Sequence, residues 1–411
     1  MIEQFFPTAA ARERICVGPL TPHIEALAAY LTSQGYAASS IEGKLRLVAA
    51  LSRWLCQHQL PVSVLNEALI NRFLTPQRCR RFGHGSRVTA EIVLSYLREL
   101  DTIPPPVAAV DESPLACVER AYAQFLDCER GMSPATLSTY LPIVRQFLTE
   151  RFNDAVVELE VLCPQDAHRF VLRHARRGSR SRAQLTVTTL RSFFRFLYQR
   201  GEITDDLASA LPAVANWRLS QLPKSLAPEQ IERLLDSCDR QTPIGRRDYA
   251  ILLLLARLGL RAGEIVALTL EDVDWELSAL TVHGKGDRRE ALPLPEDVGD
   301  ALVSYLRRDR PRCTSRRVFI RQRAPHQGFA TSAAICDVVR RALERTGLDP
   351  AFKGAHLLRH SLATNMLHGG ASLREIGDIL RHCRPETTQI YAKVDIGALR
   401  ALAPPWPGGA S

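Results

Sequence analysis

Apolar residues recur along most of the chain at the spacing of a helix face, so the sequence predicts a mainly helical protein. In residues 137–147, for example, apolar side chains stand at positions i, i+4, i+7 and i+10. The alternating pattern of a strand is confined to residues 277–282 and 289–294, which a glycine-rich turn joins. We therefore expect a mainly α fold with one small β-sheet in the last part of the chain.

The part of the chain after residue 223 has helical periodicity on both sides of this hairpin. Ser372 and Glu375 form a capping-box pattern, and Pro385 suits a first helical turn. The predicted helices cover residues 248–258, 262–270, 296–308, 331–346, 356–368, 372–380 and 385–393.

Two proline-rich stretches divide the chain. Residues 104–106 are three consecutive prolines, which cannot lie within a helix and favour an extended, stiff connector. The second stretch runs from Pro212 to Pro223. The segments between the breaks have the size of domains. We predict domains over residues 1–105, 112–212 and 223–411.

The first two segments have similar patterns. Residues 30–54 align on residues 126–150 with a constant offset, and Gly35 then meets Gly131. Each glycine follows a shorter helical pattern, where a residue without a Cβ suits the C-cap. The pattern predicts a pair of antiparallel helices in each segment, an arrangement common to many helical proteins.

The balance of charge indicates an anionic partner. The chain has 53 Lys and Arg against 44 Asp and Glu, and nucleic acid is the usual partner of basic proteins, although many basic proteins bind none. Residues 169–200 contain nine arginines and no acidic residue. A solvated charged face normally mixes both signs, so this stretch favours phosphate contact over that alternative. The predicted DNA-binding residues are Arg173, Arg176, Arg177, Arg180, Arg182, Arg191 and Arg195.

Cysteine usage and hydropathy exclude other classes of protein. The ten cysteines include no Cys-x-x-Cys pair, which favours reduced thiols in a cytosolic protein over a zinc or redox site. The longest apolar run, residues 250–256, is shorter than the roughly 20 residues of a membrane span. The first residues lack the pattern of a secretory leader. We therefore expect a cytoplasmic protein without a membrane segment.

Several residues of the last segment are suited to phosphate chemistry. Glu264 stands one turn after Arg261, and His356 and Arg359 lie on one side of a predicted helix. Taken singly, each has a structural explanation as an ion pair, a solvated turn, a hydrogen-bonded histidine or a packed tyrosine. The candidates for catalysis are Arg261, Lys285, His356, Arg359, His382 and Tyr391.

Taken together and in this order, the motifs around these candidates resemble the tyrosine recombinase family, also called phage integrases. The matching stretches are ARLGLRAGEI (256–265), GKG (284–286), HLLRHSLAT (356–364) and His382 through TTQIY (387–391). The resemblance covers the third segment and most of the second. It implies helical N-terminal DNA-binding domains, the second being the helical core-binding domain, followed by an α+β catalytic domain.

The resemblance implies a site-specific recombinase or integrase, in which a tyrosine oxygen attacks a phosphodiester of duplex DNA. Tyr391 would be this nucleophile, His356 the general base, and Lys285 the acid that protonates the departing 5′ oxygen. The 3′-phosphotyrosine would keep the bond energy of the cut strand, so a second 5′-hydroxyl reseals it without ATP. No metal or other cofactor is expected.

The remaining roles concern the charge that develops on the phosphate. Arg261 and Arg359 would clamp the non-bridging oxygens with forked donors, and His382 would add a hydrogen bond. Glu264 would orient Arg261, and we expect a structural role for His360.

One residue departs from the family pattern. Members commonly have glycine before the histidine that corresponds to His382, whereas this chain has Arg381. Glycine would permit a positive φ at the helix end, so the substitution puts the local turn geometry in doubt.

The family also implies assembly on DNA. We expect a homotetramer or a mixed recombinase assembly on the DNA synapse, in association with the nucleoid. A short apolar helix over residues 395–402 would dock on a neighbouring subunit or pack on its own domain. Residues 1–105 would clamp more DNA or hold a partner protein. Integration, transposition and chromosome-dimer resolution all remain open.

Two other functions remain open at this stage. A DNA-binding regulator of the same fold would bind without cutting, and a topoisomerase-like enzyme would relax DNA without exchanging partners. Both would share the predicted fold.

Overall fold

The structure is a computed structural model that describes residues 1–83, 85–106, 111–153, 156–214, 224–284, 288–382 and 384–394. Helices predominate in it, and three short strands form a single sheet in the described residues. This confirms the predicted fold class, mainly α with a small sheet in the last segment. By contact, the chain divides into two compact units, Met1–Pro106 with Gln221–Ser411, and Val107–Ser220.

The first segment is helical. Its helices are α1 (Ala9–Ile15), α2 (Thr21–Ser33), α3 (Ala38–Gln57), α4 (Glu67–Phe73), α5 (Pro76–Phe82) and α6 (Ser86–Glu99). The apolar stripe of α3, including Leu45 and Val48, lies at the centre of the core that these helices share. Between α2 and α3, Gly35 has a φ of +81°. A Cβ there would overlap the ring of His326, because the backbone N–H of His326 donates to the carbonyl of Gln34 at 2.9 Å.

The second segment has its own core of aromatic side chains. Its helices are α7 (Pro114–Gln124), α8 (Pro134–Phe152), α9 (Pro164–Arg177), α10 (Arg180–Gln199) and α11 (Leu207–Ala210). A π-helical turn, Phe125–Glu129, extends α7, and Gly131 follows with a φ of +55°. The two predicted helix pairs are therefore present, each with a left-handed glycine between its helices. Phe193 and Phe194 of α10 lie in the core.

The third segment surrounds α13 with helices and places the sheet at one side. Its elements are α12 (Pro228–Asp236), α13 (Pro243–Arg257), α14 (Ala262–Ala267), β1 (Val273–Asp274), β2 (Ala279–His283), β3 (Arg289–Pro293), α15 (Glu296–Arg308), α16 (Ala333–Thr346), α17 (His356–His368) and α18 (Leu373–Ile379). The strands are antiparallel in the order β1-β2-β3, and Leu280 of β2 pairs with Val273 and Leu292. α13 is buried on almost every side, which explains its continuous apolar run.

Two predicted helix boundaries differ from the structure by more than two residues. α13 begins at Pro243, because Thr242 accepts a capping hydrogen bond from Gly245 N at 3.1 Å. α14 ends at Ala267 rather than at residue 270, because the Asp272 carboxylate closes a separate 3-10 turn by accepting from Thr269 N at 2.8 Å.

The helix predicted over residues 385–393 is wrong. Two 3-10 turns, Pro385–Thr387 and Gln389–Val394, occupy this stretch. Ile390 and Tyr391 of the second turn pack with Ile376 and Leu380 in a small apolar cluster, separate from the core around α13. The predicted tail helix over residues 395–402 lies outside the described residues.

The capping box at the start of α18 is confirmed. Ser372 N donates to Glu375 Oε2 at 2.8 Å, and Glu375 N donates to Ser372 Oγ at 3.2 Å.

In the described part of the chain, none of the helices is both long enough and apolar enough to cross a membrane.

Candidate active site

Arg261 stands where α13 turns into α14. Gly259 makes this turn possible, since its φ is +57° and a Cβ there would lie 2.8 Å from Leu380 Cδ2. The Glu264 carboxylate accepts from the backbone N–H of Arg261 at 2.8 Å and from its Nη1 at 2.7 Å. One carboxylate therefore caps α14 and fixes the direction of the Arg261 guanidinium.

Arg359 is held from two directions by the main chain. It is 3% exposed, and its two terminal nitrogens donate to the carbonyls of Gly259 and Leu380. Burial, reinforced by the cations of Arg261 and Arg381, lowers the pKa of Arg359 to about 10, so the side chain stays charged at neutral pH.

The two predicted phosphate clamps converge. The Nη2 of Arg261 lies 3.5 Å from the carbonyl oxygen of Arg381, and Arg359 donates to the preceding carbonyl, that of Leu380. Two guanidinium groups on consecutive carbonyls repel each other unless an anion lies between or beside them. The arrangement is therefore suited to a phosphate.

A cavity of about 680 Å³ opens beside these cations. Arg261, His356 and His382 line it, together with Arg381 and residues 282–284 of the hairpin. In the part of the chain that the structure describes, His, Cys, Asp and Glu form no group of three or more that has the arrangement of a metal site.

Two histidines on this cavity are held in the neutral state. Burial and the cations of Arg359 and Arg261 lower the pKa of His356 below its ordinary value, and the same causes lower the pKa of His382 to about 4. The Nδ1 of His382 lies 2.7 Å from Thr388 Oγ1, which fixes its ring. Both imidazoles can therefore accept or share a proton at pH 7.

Tyr391 lies away from the cavity. It is 1% exposed and does not belong to the described residues that line the cavity. Its hydroxyl lies 2.7 Å from Nδ1 of His360, inside the apolar cluster. Burial raises the pKa of Tyr391 to about 12, although Arg359 opposes this rise, and burial lowers the pKa of His360 to about 4.

This contact was not predicted from the sequence. The expected neighbour of Tyr391 was His356, whereas the structure places His360 against its hydroxyl. The two rings lie one turn apart on α17, with their centroids separated by 6.3 Å. The i, i+4 spacing of the two histidines was the available signal, because it puts both on nearly one face.

Lys285 lies outside the described residues, but the base of its hairpin does not. Gly284 N donates to the carbonyl of Arg288 at 2.8 Å, and His283 Nε2 lies 2.8 Å from Asp272 Oδ1. Because His283 and Gly284 line the cavity, the hairpin starts at its edge.

Arg381 adopts the left-handed backbone conformation that glycine commonly provides at this position in the family. Its φ is +55°, and Arg381 N and His382 N close the turn on the carbonyls of Asp378 and Gly377. Its side chain folds back and donates from Nη2 to Glu264 Oε2 at 2.8 Å. The turn therefore keeps a left-handed residue without glycine.

The arginines predicted to bind DNA divide into two sets. Arg173 donates to Glu150 at 2.7 Å, and Arg191 donates to the carbonyl of Leu211 at 2.8 Å, so both also stabilise the second segment. The Arg177 side chain lies outside the described part. Arg176, Arg180, Arg182 and Arg195 form the second set and are exposed.

Comparison with known proteins identifies the family. The model of the phage integrase family matches residues 224–397, and the model of the phage integrase N-terminal SAM-like domain matches residues 120–201. The Sinorhizobium fredii protein y4rA, which carries an integrase/recombinase name, is 44% identical over 96% of each chain. Tyrosine recombinase XerD of Listeria monocytogenes is 30% identical over 66% of this chain and 92% of its own. The chain belongs to the phage integrase family of tyrosine recombinases.

Solved structures agree on the fold. XerH recombinase bound to palindromic difH substrate covers 89% of this chain and 96% of its own, with a TM-score of 0.57 and 20% identity. A lambda integrase (75–356) dimer bound to a COC′ core site covers 67% of this chain and 94% of its own, with a TM-score of 0.52 and 18% identity. The predicted family and enzyme class are thus confirmed, and this chain is a tyrosine-type site-specific recombinase.

Proposed function

We propose that this recombinase cuts and rejoins duplex DNA through a covalent bond to Tyr391. The observation that carries the proposal is the convergence of Arg261 and Arg359 on consecutive carbonyls, next to two neutral histidines. Fixed guanidinium groups in a partly buried site stabilise developing negative charge far better than mobile surface cations. Such a site suits a phosphoryl group in transit.

In the proposed reaction, the Tyr391 oxygen bonds to the scissile phosphorus and the P–O5′ bond breaks. The phenol proton passes to the neutral imidazole of His356, and Lys285 gives a proton to the departing 5′ oxygen. Arg261, Arg359 and His382 donate hydrogen bonds to the non-bridging oxygens. A 5′-hydroxyl from another DNA strand then reverses the step, so strands are exchanged with no net loss of bond energy.

We infer that Tyr391 must move before it reacts. In the structure, its hydroxyl contacts His360 within the apolar cluster, whereas the phosphate site opens on the cavity. The 3-10 turn Gln389–Val394 packs in a small apolar cluster separate from the main core of the third segment, which favours a rearrangement of this turn when DNA binds. In the resting chain, His360 keeps the phenol in a hydrogen bond.

We propose duplex DNA as the partner and a tetramer on the synapse as the working assembly, within the cytoplasm and at the nucleoid. Arg176, Arg180 and Arg182 stand exposed around the corner between α9 and α10, where they can reach phosphates. We also propose domains over residues 1–105, 112–212 and 223–411. Each range contains a main hydrophobic core of its own, which supports this division.

The proposal is tested by capture of covalent adducts. The full chain is incubated with nicked duplex fragments of its source genome, denatured in detergent, and the attached DNA ends are sequenced. We expect adducts at a defined sequence, linked to Tyr391 through a 3′-phosphate. Tyr391→Phe should lose every adduct yet bind the captured duplex as the wild type does. Tyr249→Phe removes the hydroxyl of a partly buried tyrosine packed on Arg240 and serves as the matched control.

The alternatives give different outcomes. A DNA-binding regulator forms no adduct even as wild type. A topoisomerase-like enzyme relaxes plasmids that lack the captured sequence. Either result contradicts the proposed recombination.

A further inference from the structure

Arg381 has two features that a turn residue does not need. Its φ of +55° lies in the left-handed region that residues with a Cβ disfavour. Its side chain is nevertheless 5% exposed, turned inward to the site rather than out to solvent. Backbone strain that persists beside an active site commonly accompanies a functional constraint.

The side chain contacts the group that orients Arg261. Nη2 of Arg381 donates to Glu264 Oε2 at 2.8 Å, the same oxygen that accepts from Arg261 N. Glu264 Oε1 accepts from Arg261 Nη1 at 2.7 Å. One buried carboxylate is thus shared by two guanidinium groups.

This sharing alters the electrostatics of the cavity. If Glu264 were paired with Arg261 alone, its negative charge would largely cancel the cation meant for the phosphate. With Arg381 present, the negative charge of Glu264 is balanced by two cations. Glu290 also lies near Arg381, with its Oε2 at 3.7 Å from Arg381 Nε. The site therefore keeps more positive charge for an arriving anion.

Arg381 also contacts Arg261 through its main chain, because its carbonyl oxygen lies 3.5 Å from Arg261 Nη2. In the described residues, Nη1 of Arg381 is buried without a hydrogen-bond partner. A buried donor without a hydrogen-bond partner lowers the stability of the fold, so its presence here favours a functional reason for keeping the arginine.

We propose that Arg381 is a positioning residue for recombination, which holds and neutralises Glu264 and thereby keeps Arg261 directed at the scissile phosphate. The inference rests on the proposed function, since it concerns the same site. It goes beyond that function by assigning a third arginine, which acts through Glu264 rather than on the substrate.

If Arg381 had a purely structural role, its replacement by glycine would have a different effect on DNA cleavage. The turn is closed by the backbone N–H groups of Arg381 and His382. Glycine would form the same hydrogen bonds with less strain. If Arg381 served only the turn, Arg381→Gly would leave DNA cleavage unchanged.

The experiment uses the full chain and a duplex captured by the wild type. The rate of adduct formation is measured in single turnover at saturating DNA, with duplex affinity and melting temperature measured alongside, for R381G, R381K and R381M. Arg340→Met on α16 is the matched control, because Arg340 is half-exposed and forms surface ion pairs with Asp337 and Glu344.

We expect R381G to remain folded at the assay temperature, as its melting curve would show, and to form adduct at least about tenfold more slowly, since a misdirected Arg261 loses contact in the transition state. Affinity should stay within about threefold, because the change acts on the rate rather than on general binding. R381K, which keeps the cation, should recover part of the rate, and R340M should match the wild type.

A second background sharpens the test. In E264Q the residue at 264 has no charge to neutralise, so R381G should cost less than about threefold there, a departure from additivity that coupled residues produce. Wild-type rates in R381G, or an equal loss in both backgrounds, would overturn the role of Arg381. Absence of adduct from the wild type would instead reject the proposed function, and this inference with it.

Discussion

The arginines of the second segment and those of the cavity contrast in how they are held. Arg176, Arg180 and Arg182 are exposed around the corner between α9 and α10. Arg359 is 3% exposed and the side chain of Arg381 is 5% exposed, and Arg359 is held by two backbone carbonyls. Residue type is the same in both places, but the surroundings differ.

The contrast separates affinity from catalysis. Exposed cations attract phosphates at a distance, lose strength as salt rises and adapt to many backbone positions. Buried guanidinium groups are fixed before the substrate arrives, so they act on charge that appears only in the transition state. We expect substitutions in the two regions to change different quantities.

The largest effect is expected from Arg359→Lys. Lysine cannot span the carbonyls of Gly259 and Leu380 and still present a fork of donors, so adduct formation should slow by about 10²–10³-fold. Duplex affinity should change little. Single-turnover rates and fluorescence anisotropy measure the two quantities, with Arg182→Lys in the second segment as control. A parallel loss of affinity would remove the distinction between the regions.

Lys285→Ala should slow cleavage by roughly 10²-fold, because the departing 5′ oxygen lacks its acid. A bridging 5′-sulfur is a better leaving group and needs no proton. Substrates with that sulfur should therefore restore most of the rate in Lys285→Ala but not in Arg359→Lys. Equal rates on both substrates in the Lys285 variant would exclude the acid role.

Acid should destabilise the third segment through its buried histidines. Burial first, then His356 and Arg359, lowers the pKa of His360 to about 4, and burial, Arg359 and Arg261 do the same for His382. The unfolded chain titrates near 6.5, so it binds more protons between these values. The contribution of these two histidines to the free energy of unfolding should therefore be complete above pH 6.5 and lost as the pH falls towards 4.

As the pH falls from 6.5 to 4, that free energy should decline by about 3 kcal/mol for the two rings together, after allowance for solvent screening. Urea denaturation at stepped pH measures the slope. His360→Gln should flatten it, whereas His23→Gln in α2, outside the cavity, should not. An unchanged slope in His360→Gln would show that its ring titrates normally.

The smallest effect per residue is expected in the exposed set. Alanine at Arg176, Arg180 or Arg182 should each weaken duplex binding several-fold and reduce the salt slope by about one. The cleavage rate at saturating DNA should not change. Affinity titrations at several salt concentrations test this, and variants that bind normally would show that these arginines face solvent alone.

The features that could be predicted from the sequence are those whose interacting residues lie close together along the chain. The helix face with His356 and Arg359 and the capping box depend on residues within a turn of each other, and the hairpin on residues in one short stretch of the chain, so the sequence indicated them. The acceptors of Arg359 stand 100 and 21 residues away, and the pairing of Arg173 with Glu150 links two helices. No local pattern specifies such contacts.

The second 3-10 turn shows the same limit. The spacing around Tyr391 fitted a helix, but the side chain packs on Ile376 and Leu380 and its hydroxyl reaches His360. Tertiary packing overrode local periodicity there. Likewise, Arg381 has the left-handed backbone that its residue type disfavours, and its side chain contacts Glu264, which lies far away in sequence.

The use of main-chain carbonyls to hold Arg359 has a consequence for mutational drift. No substitution at position 380 can delete a carbonyl oxygen, so changes that keep the packing of this buried side chain leave the anchor in place. An insertion or deletion between α17 and α18 would displace it at once. Relatives of this chain should therefore tolerate residue changes along that stretch far better than changes in its length.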